Sequence, residues 1–192
     1  QAINSKLFDN IVVSTDSIKI LKLSKKYGAE GWFLRPKKYS NNKISKRKAI
    51  IHALEKAEDK YSIKYDLVFD LDVTSPLRKI SDIKNALKLL ISKKASNLFS
   101  VTDAKKNPYF NMVEFKNNKF DLVVPGKKIT SRQTAPKVYE MNASIYIWKR
   151  NYLLKSKTLF GDKTVLFHMP QERSIDIDSN FDFKMVKQLI KT

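Results

Sequence analysis

The sequence contains no cysteine, which excludes disulfide bonds and any metal site built on thiolates. It has only two histidines, His52 and His168, and because they are far apart along the chain we interpret both as structural or surface residues. No apolar run approaches the length of a membrane-spanning helix, so we expect no membrane association. Gln1–Phe8 lacks the basic-then-apolar order of a signal peptide. We expect a cytoplasmic protein, because the absence of cysteine is compatible with a reducing compartment.

Acidic residues are scarce beside the basic ones. The 38 lysines and arginines outnumber the 19 aspartates and glutamates, which gives a net charge of +19. Three interpretations are open: a solvated lysine-rich surface, steering of anionic substrates, and binding of nucleic acid. The basic residues are scattered in small clusters and no nucleic-acid-binding motif accompanies them, so we expect no nucleic-acid partner. The chain also lacks GxSxG and Walker-type loops.

What the chain does have is an alternation of short apolar runs with amphipathic segments of helical period. Strands are predicted at residues 10–16, 32–34 and 67–69. Helices are predicted over residues 18–27, 44–60 and 81–91, the last capped by Ser81 or Asp82. This alternation predicts one α/β domain over 1–192, with a Rossmann-like, mostly parallel sheet and helices on both faces. Sites in such sheets lie at the carboxyl ends of strands, so the loops after these strands are the places to search.

The middle of the chain has a different pattern. Residues 105–140 alternate apolar and polar side chains and contain the turn signal Pro125-Gly126, which predicts an inserted β-hairpin arm. Three further strands are predicted at 143–148, 164–168 and 174–178, followed by an amphipathic helix over 181–190.

Asp176 and Asp178 are two residues apart in a predicted strand, so both carboxylates point to the same side. Two carboxylates on one face form a hard oxygen site that suits Mg²⁺. A solvent-facing strand with an acidic outer face explains the same pattern equally well.

Asp70 and Asp72 repeat this spacing at the end of an apolar strand, before the hydroxyls and the guanidinium of residues 74–78. Such a loop can hold a polyhydroxylated anion, but an Asx-turn that precedes a helix accounts for it without any ligand. Arg35 follows another predicted strand, and its planar fork could contact a base or a phosphate, although surface arginines are common.

Five stretches, taken together and in order, resemble the acylneuraminate cytidylyltransferase family. They are Ile11–Asp16, Leu34–Pro36, Asp72–Arg78, Asn142–Tyr146 and Ser174–Asp178. Each is weak alone, but they span nearly the whole chain. Three others are similar to the legionaminic-acid branch of that family: Asn4–Phe8, Asn107–Asn111 and the stretch from Arg132-Gln133 through Met141–Ser144.

The resemblance implies a cytidylyltransferase, in which the anomeric hydroxyl of a nonulosonic acid attacks the α-phosphate of CTP and pyrophosphate leaves. Such activated sugars serve surface glycan synthesis. Asp176 and Asp178 match the family's catalytic Mg²⁺-binding aspartates. Nucleotide contacts are implied for Arg35, for Ser40 in the following loop, and for Ser14 and Asp16.

The resemblance also implies a sugar site. Asp72, Thr74 and Ser75 lie in the sugar-binding loop, where Asp72 replaces a glutamine that many members use. Since an ionised aspartate only accepts hydrogen bonds, this change fits an altered sugar. The arm at 105–140 matches a dimerisation insert, so a homodimer is expected. Arg132, Tyr139 and Asn142 are candidates for sugar contacts beside it.

One departure from the family concerns the phosphate-binding loop. Members carry an Arg-x-x-Ser-Lys loop after an initial strand, and no match to it occurs here, while Gln1–Phe8 is similar to the end of the helix that follows that loop. We therefore expect further residues upstream. The alternative is a truncated, non-catalytic homologue that binds nucleotide or only dimerises.

Overall fold

The computed structural model describes residues 1–41, 44–125 and 129–191. Its α-helices in these ranges are α1 (Ala2–Ser5), α2 (Ile18–Lys26), α3 (Lys46–Tyr61), α4 (Ile80–Ser92), α5 (Arg150–Lys155) and α6 (Asn180–Lys191). Its strands are β1 (Leu67–Leu71), β2 (Asn97–Asp103), β3 (Val113–Lys116), β4 (Lys119–Leu122), β5 (Tyr139–Lys149) and β6 (Thr164–His168). Short 3₁₀ turns lie at Lys37–Tyr39 and Gln171–Arg173. In the described ranges, no helix is both long and apolar enough to cross a bilayer.

The main sheet has the strand order β1-β5-β2-β6. β2 and β6 pair in parallel, and β5 pairs antiparallel with both β1 and β2. Three of the four strands therefore run in one direction, with β5 reversed between two of them. The predicted α/β class and mostly parallel sheet are confirmed.

Side chains of β5 alternate between the two faces of this sheet. Ile145 and Ile147 are fully buried in a cluster that includes Ile83 and Leu90 of α4. On the other face, Trp148 packs in a second cluster that includes residues of α3 and α5. Because successive residues of a strand point to opposite faces, this alternation requires helices on both sides, as predicted. Each large apolar side chain buried in this way contributes about 2 kcal/mol.

Helix α4 begins one residue before the predicted caps. Its amino end is stabilised by Asp82, whose Oδ2 accepts a hydrogen bond of 2.7 Å from the backbone N–H of Lys79. Asp82 therefore accepts from a backbone N–H that has no partner within the helix. It does so from inside the first turn and not from the N-cap position.

Three predicted strands are not regular strands. Residues 10–16 form a single parallel bridge, Val12 with Glu30, and residues 32–34 and 174–178 lie outside the sheet ladders. Their backbone bonds are sparse: Val13 N donates to Glu30 O at 2.8 Å, for example. A ladder needs a neighbouring strand, which the apolar content of a single segment does not reveal.

The predicted hairpin arm is confirmed as β3 and β4, which pair antiparallel. The two-residue turn is Asn117-Asn118, both with positive φ (52° and 58°), the conformation that a type I′ hairpin turn requires. The predicted turn signal Pro125-Gly126 is therefore not the hairpin turn, and Gly126 lies outside the described residues.

Glu58 is a buried carboxylate on α3. It accepts hydrogen bonds from Arg150 Nε and Nη2 at 2.5 and 2.8 Å, and from Lys64 Nζ at 2.9 Å. Despite burial, these bonds, led by those from Arg150, lower the pKa of Glu58 to about 2. The pair ties α3 to the start of α5 on one face of the sheet.

Glu58→Gln is expected to lower the free energy of unfolding by about 3 kcal/mol at neutral pH. Because the folded-state pKa is below the ordinary value of 4.5, this contribution is complete above that pH and is lost as the pH falls towards 2. Urea unfolding at neutral and acidic pH checks both statements. Glu55→Gln, an exposed carboxylate on the same helix, is the control. Equal losses in the two variants would contradict the assignment.

Candidate active site

Two carboxylates at the carboxyl end of β1 are joined by one lysine: Asp70 lies in β1, and Asp72 is the first residue after it. Lys46 Nζ lies 2.7 Å from Asp70 Oδ2 and 2.7 Å from Asp72 Oδ2. The same ammonium lies 5.1 Å from the centre of the Tyr146 ring on β5. The lysine is the first residue of α3, so this contact joins the amino end of α3 to the carboxyl end of β1.

Burial and charge act in opposite directions on these groups. Burial raises the pKa of Asp70, and the charge of Lys46 opposes that rise. Burial acts in the same way on Asp72, but hydrogen bonds from Lys46 and Thr74 hold the pKa of Asp72 below its ordinary value. Burial would lower the pKa of Lys46, but the two aspartates raise it. Both carboxylates therefore face a fully protonated lysine.

The Asx-turn allowed by the sequence is also present. Asp72 Oδ1 accepts hydrogen bonds from Thr74 N at 3.3 Å and Thr74 Oγ1 at 3.0 Å. The turn uses Oδ1 and the lysine contact uses Oδ2, so both oxygens of the Asp72 carboxylate are held in place. Its side chain is still 25% exposed and can be reached by a ligand.

Arg78, the guanidinium of the same loop, points inward. It is buried and donates to Ser144 O at 2.7 Å and to Asp72 O at 2.6 Å. Burial lowers its pKa, and the nearby charges of Asp72 and Asp70 oppose that. Arg78 therefore fixes the backbone of the loop against β5 rather than facing a ligand.

Asn142 lies in β5, where it is 5% exposed. Its Oδ1 accepts from Ser100 Oγ at 2.6 Å, and its Nδ2 donates to Ser174 Oγ at 2.9 Å. Its backbone oxygen accepts from Ser75 Oγ at 3.2 Å. Of the predicted sugar-site residues, Asn142 and Ser75 are thus bonded to each other in the interior, whereas Thr74 lies nearer the surface.

The predicted metal aspartates lie on the segment 174–178, beside the loop that carries Asp72. Ile177 N donates to Thr74 O at 2.9 Å, which brings the segment against the loop that carries Asp72. Just before the segment, Arg173 forms a two-pronged contact with buried Asp82, at 3.0 and 2.9 Å. The segment is therefore held at its start by α4 and near its end by the β1 loop.

Asp176 has a buried oxygen, Oδ1, with no hydrogen-bond partner among the described atoms. A buried, unpaired carboxylate oxygen is costly unless a cation or a donor completes it. Asp178, two residues further on, is exposed. No group of three or more acidic, histidine or cysteine side chains gathers as a metal site in the part of the chain that the structure describes. Mg²⁺ is commonly held by one or two carboxylates with water and substrate phosphates, so these two aspartates could hold it.

The four predicted nucleotide residues lie in the loops that follow residues 11–13 and 32–34. Arg35 Nε donates to Ser40 Oγ at 3.0 Å, and its Nη2 lies 3.7 Å from Asp16. Arg35 N also donates to Thr15 O at 2.8 Å, which links the two loops. Ser14 Oγ is buried and has no hydrogen-bond partner among the described atoms. The fold thus brings Asp16, Arg35 and Ser40 together.

Arg132 and Tyr139 lie at the base of the arm. Arg132 lines a cavity of about 230 Å³ together with Asp103 and Lys137. Tyr139 is exposed, with Lys137 Nζ 5.1 Å from its ring centre and the His168 ring at 6.0 Å. His168 Nε2 itself lies 3.2 Å from Asp103.

Lys46 is the main residue of the site that the sequence did not predict. A signal was available. The amino end of a helix carries partial positive charge and disfavours lysine, so a lysine in the first turn suggests acidic partners elsewhere.

Comparison with known proteins extends these observations. The model of a family described as cytidylyltransferase matches residues 1–189. The CMP-N,N′-diacetyllegionaminic acid synthase of Campylobacter jejuni is 46% identical, over 99% of this chain and 80% of its own length. The post-translational flagellin modification protein B of Campylobacter coli is 42% identical, over 100% of this chain and 81% of its own.

A solved structure shares the fold. CMP:2-keto-3-deoxy-manno-octonic acid synthetase, complexed with CTP, superimposes with a TM-score of 0.66 and 12% identity, covering 99% of this chain and 84% of that one. At this identity the likeness concerns the Rossmann-like architecture alone.

Proposed function

The chain belongs to the cytidylyltransferase family, and from this premise we propose that it joins CMP from CTP to a nonulosonic acid and releases pyrophosphate. The observation that carries the proposal is the meeting of two loops. The bond from Ile177 N to Thr74 O sets the Asp176 segment against the loop of Asp72. The segment proposed to hold Mg²⁺ and the loop proposed to bind the sugar are thereby adjacent, which supports a transfer from a nucleotide to a sugar.

In the proposed reaction the anomeric oxygen of the sugar forms a bond to the α-phosphorus of CTP. The bond from that phosphorus to the bridging oxygen breaks, pyrophosphate leaves, and the proton of the sugar hydroxyl is released to water. Asp72 accepts hydrogen bonds from sugar hydroxyls, and Thr74 adds a hydroxyl beside it. Mg²⁺ held by Asp176 and Asp178 would neutralise phosphate charge and help activate the attacking oxygen.

On the nucleotide side we propose Arg35, Ser40, Ser14 and Asp16. The contact between Arg35 and Ser40 presents a guanidinium at the edge of two loops, where it can bind a base or a phosphate. The unpartnered hydroxyl of Ser14 supports a polar ligand there. The net charge of +19 favours the approach of both anionic substrates. We also propose a cytoplasmic location for the protein, because CTP is a cytoplasmic metabolite.

The sugar we propose is of the legionaminic type. Its support is the similarity to the Campylobacter jejuni synthase and the acceptor-only side chain at Asp72. The test is pyrophosphate release by the full-length protein, with CTP, Mg²⁺ and a panel of legionaminic, pseudaminic and N-acetylneuraminic acids. Release with the legionaminic acid is expected to be fastest. Faster release with another acid of the panel would contradict the sugar assignment, and no release with any would contradict the function.

We also propose that 105–140 is a dimerisation insert and that the protein is a homodimer, with Arg132 and Tyr139 near the sugar site. Support comes from the exposed apolar face of the arm. Phe115 and Phe120 are paired across β3 and β4 with ring centres 5.0 Å apart, yet they are 64% and 76% exposed. A pair of this size favours a protein partner, and a second copy supplies an identical apolar face.

Replacing both Phe115 and Phe120 with lysine is expected to convert the dimer to a monomer, because two charges cannot be buried in an apolar interface without partners. Light scattering coupled to size-exclusion chromatography measures the mass. The wild type is expected at twice the mass of one chain and the variant at one. Phe181→Lys, an exposed aromatic on α6, is the control and should leave the mass unchanged. A wild-type monomer would contradict the proposal.

A further inference from the structure

Lys46 occupies a position where a cation is unfavourable. It is the first residue of α3, and the first turn contains no acidic residue to offset its charge. Its favourable contacts lie outside the helix, in the two 2.7 Å contacts with Asp70 and Asp72. A residue placed against the local preference of its helix is best explained by the groups that it contacts elsewhere.

The charges around this lysine are balanced. By formal charge, the two carboxylates of Asp70 and Asp72 are matched by the two cations Lys46 and Arg78. Asp70 Oδ2 is buried, and the Lys46 ammonium 2.7 Å away is its counter-ion. Arg78 binds the backbone oxygen of Asp72 at 2.6 Å. Without Lys46 the group would have a net negative charge on the side where a sugar acid is proposed to bind.

Lys46 also orients Asp72. The carboxylate is held by Lys46 through Oδ2 and by Thr74 through Oδ1, so it presents a fixed set of acceptor directions. Lys46 itself is half exposed, with 48% of its side chain open to solvent, so it can be replaced without opening the core.

We propose that Lys46 is a specificity-determining residue for the sugar acid: it orients Asp72 and cancels the charge that would repel the sugar carboxylate. The proposal rests on the proposed function. Lys46 allows the site to bind a negatively charged sugar, and it does so through its contacts with Asp70 and Asp72.

Lys46→Met is expected to raise KM for the sugar acid at least about tenfold, the order expected for loss of a charge-assisted hydrogen bond. KM for CTP should change by less than about threefold, because the lysine contacts the aspartates of the sugar loop. The matched control is Lys48→Met, the same charge change two residues along the same helix, at an exposed position. It should leave both constants near the wild-type values. Equal effects of the two substitutions, or a larger effect on CTP, would overturn the proposal.

A charge-restoring variant separates this role from simple support of the fold. Lys46→Met combined with Asp70→Asn has the same local net charge as the wild type. Its KM for the sugar acid is therefore expected to fall most of the way back to the wild-type value. A merely structural lysine predicts a double variant that is no better than the single one, and that result would overturn the proposal. If the wild-type protein itself forms no product, the proposed function fails, and the inference fails with it.

Discussion

Asp176→Asn is expected to lower the rate of pyrophosphate release at least about a thousandfold, because it removes one of two carboxylates proposed to hold Mg²⁺. The substitution conserves shape and takes an unpaired charge out of a buried position. The midpoint of thermal unfolding should therefore stay the same or rise while activity is lost. Kinetics at several Mg²⁺ concentrations and a thermal unfolding curve measure both.

The control for this experiment is Asp162→Asn, an exposed aspartate after α5, which should keep full activity. Asp178→Asn should behave like Asp176→Asn, since the two carboxylates are proposed to share one ion. Full activity in either of these two variants would refute the metal assignment. A loss of activity that accompanies a lower unfolding midpoint would show instead that the segment had lost its structure.

Arg78→Met is expected to destabilise the fold. It leaves the buried carbonyl oxygens of Asp72 and Ser144 without their donor and leaves Asp70 facing one cation fewer. A loss of about 3 kcal/mol follows from unpaired buried acceptors, which corresponds to about 8 °C in the unfolding midpoint for a chain of this size. Lys84→Met, at an exposed position of α4, is the control and should change stability by less than about 0.5 kcal/mol.

An unfolding midpoint for Arg78→Met equal to that of Lys84→Met would contradict this role. The experiment also separates the two interpretations of the residues after Asp72. If Arg78 bound a ligand, its loss would raise KM without changing stability. As the buried anchor of the loop, it is expected to change stability whether or not substrate is present.

The sequence predicted those parts of the fold that depend on a local pattern. The apolar run before Asp70 and the period of 181–190 are local features, and both elements formed as predicted. The segment 174–178 has an alternating sequence pattern, but it is not part of a ladder. Pairing depends on neighbours from distant parts of the chain, so local pattern cannot determine it.

The sequence likewise predicted some features of the candidate site and not others. The family motifs identified Asp72, Asp176 and Arg35 by residue type and order. They did not reveal that Asn142 is bonded to Ser100 and Ser174 in the interior, or that Arg78 points inward. Burial of a polar side chain depends on partners that are far away in sequence: Ser75 and Asn142 are 67 positions apart, and Glu58 and Arg150 are 92 apart. Lys46 illustrates the same limit, because its two aspartates belong to a different loop.

The most direct test of the proposed function is to identify the product of the reaction. The full-length protein is incubated with CTP, Mg²⁺ and a legionaminic acid, and the mixture is analysed by mass spectrometry together with a pyrophosphate assay. The account predicts a CMP-glycoside of the sugar acid, formed in equal amount to pyrophosphate. CTP that is bound but not converted, or that is hydrolysed to CMP and pyrophosphate with the sugar unchanged, would contradict it.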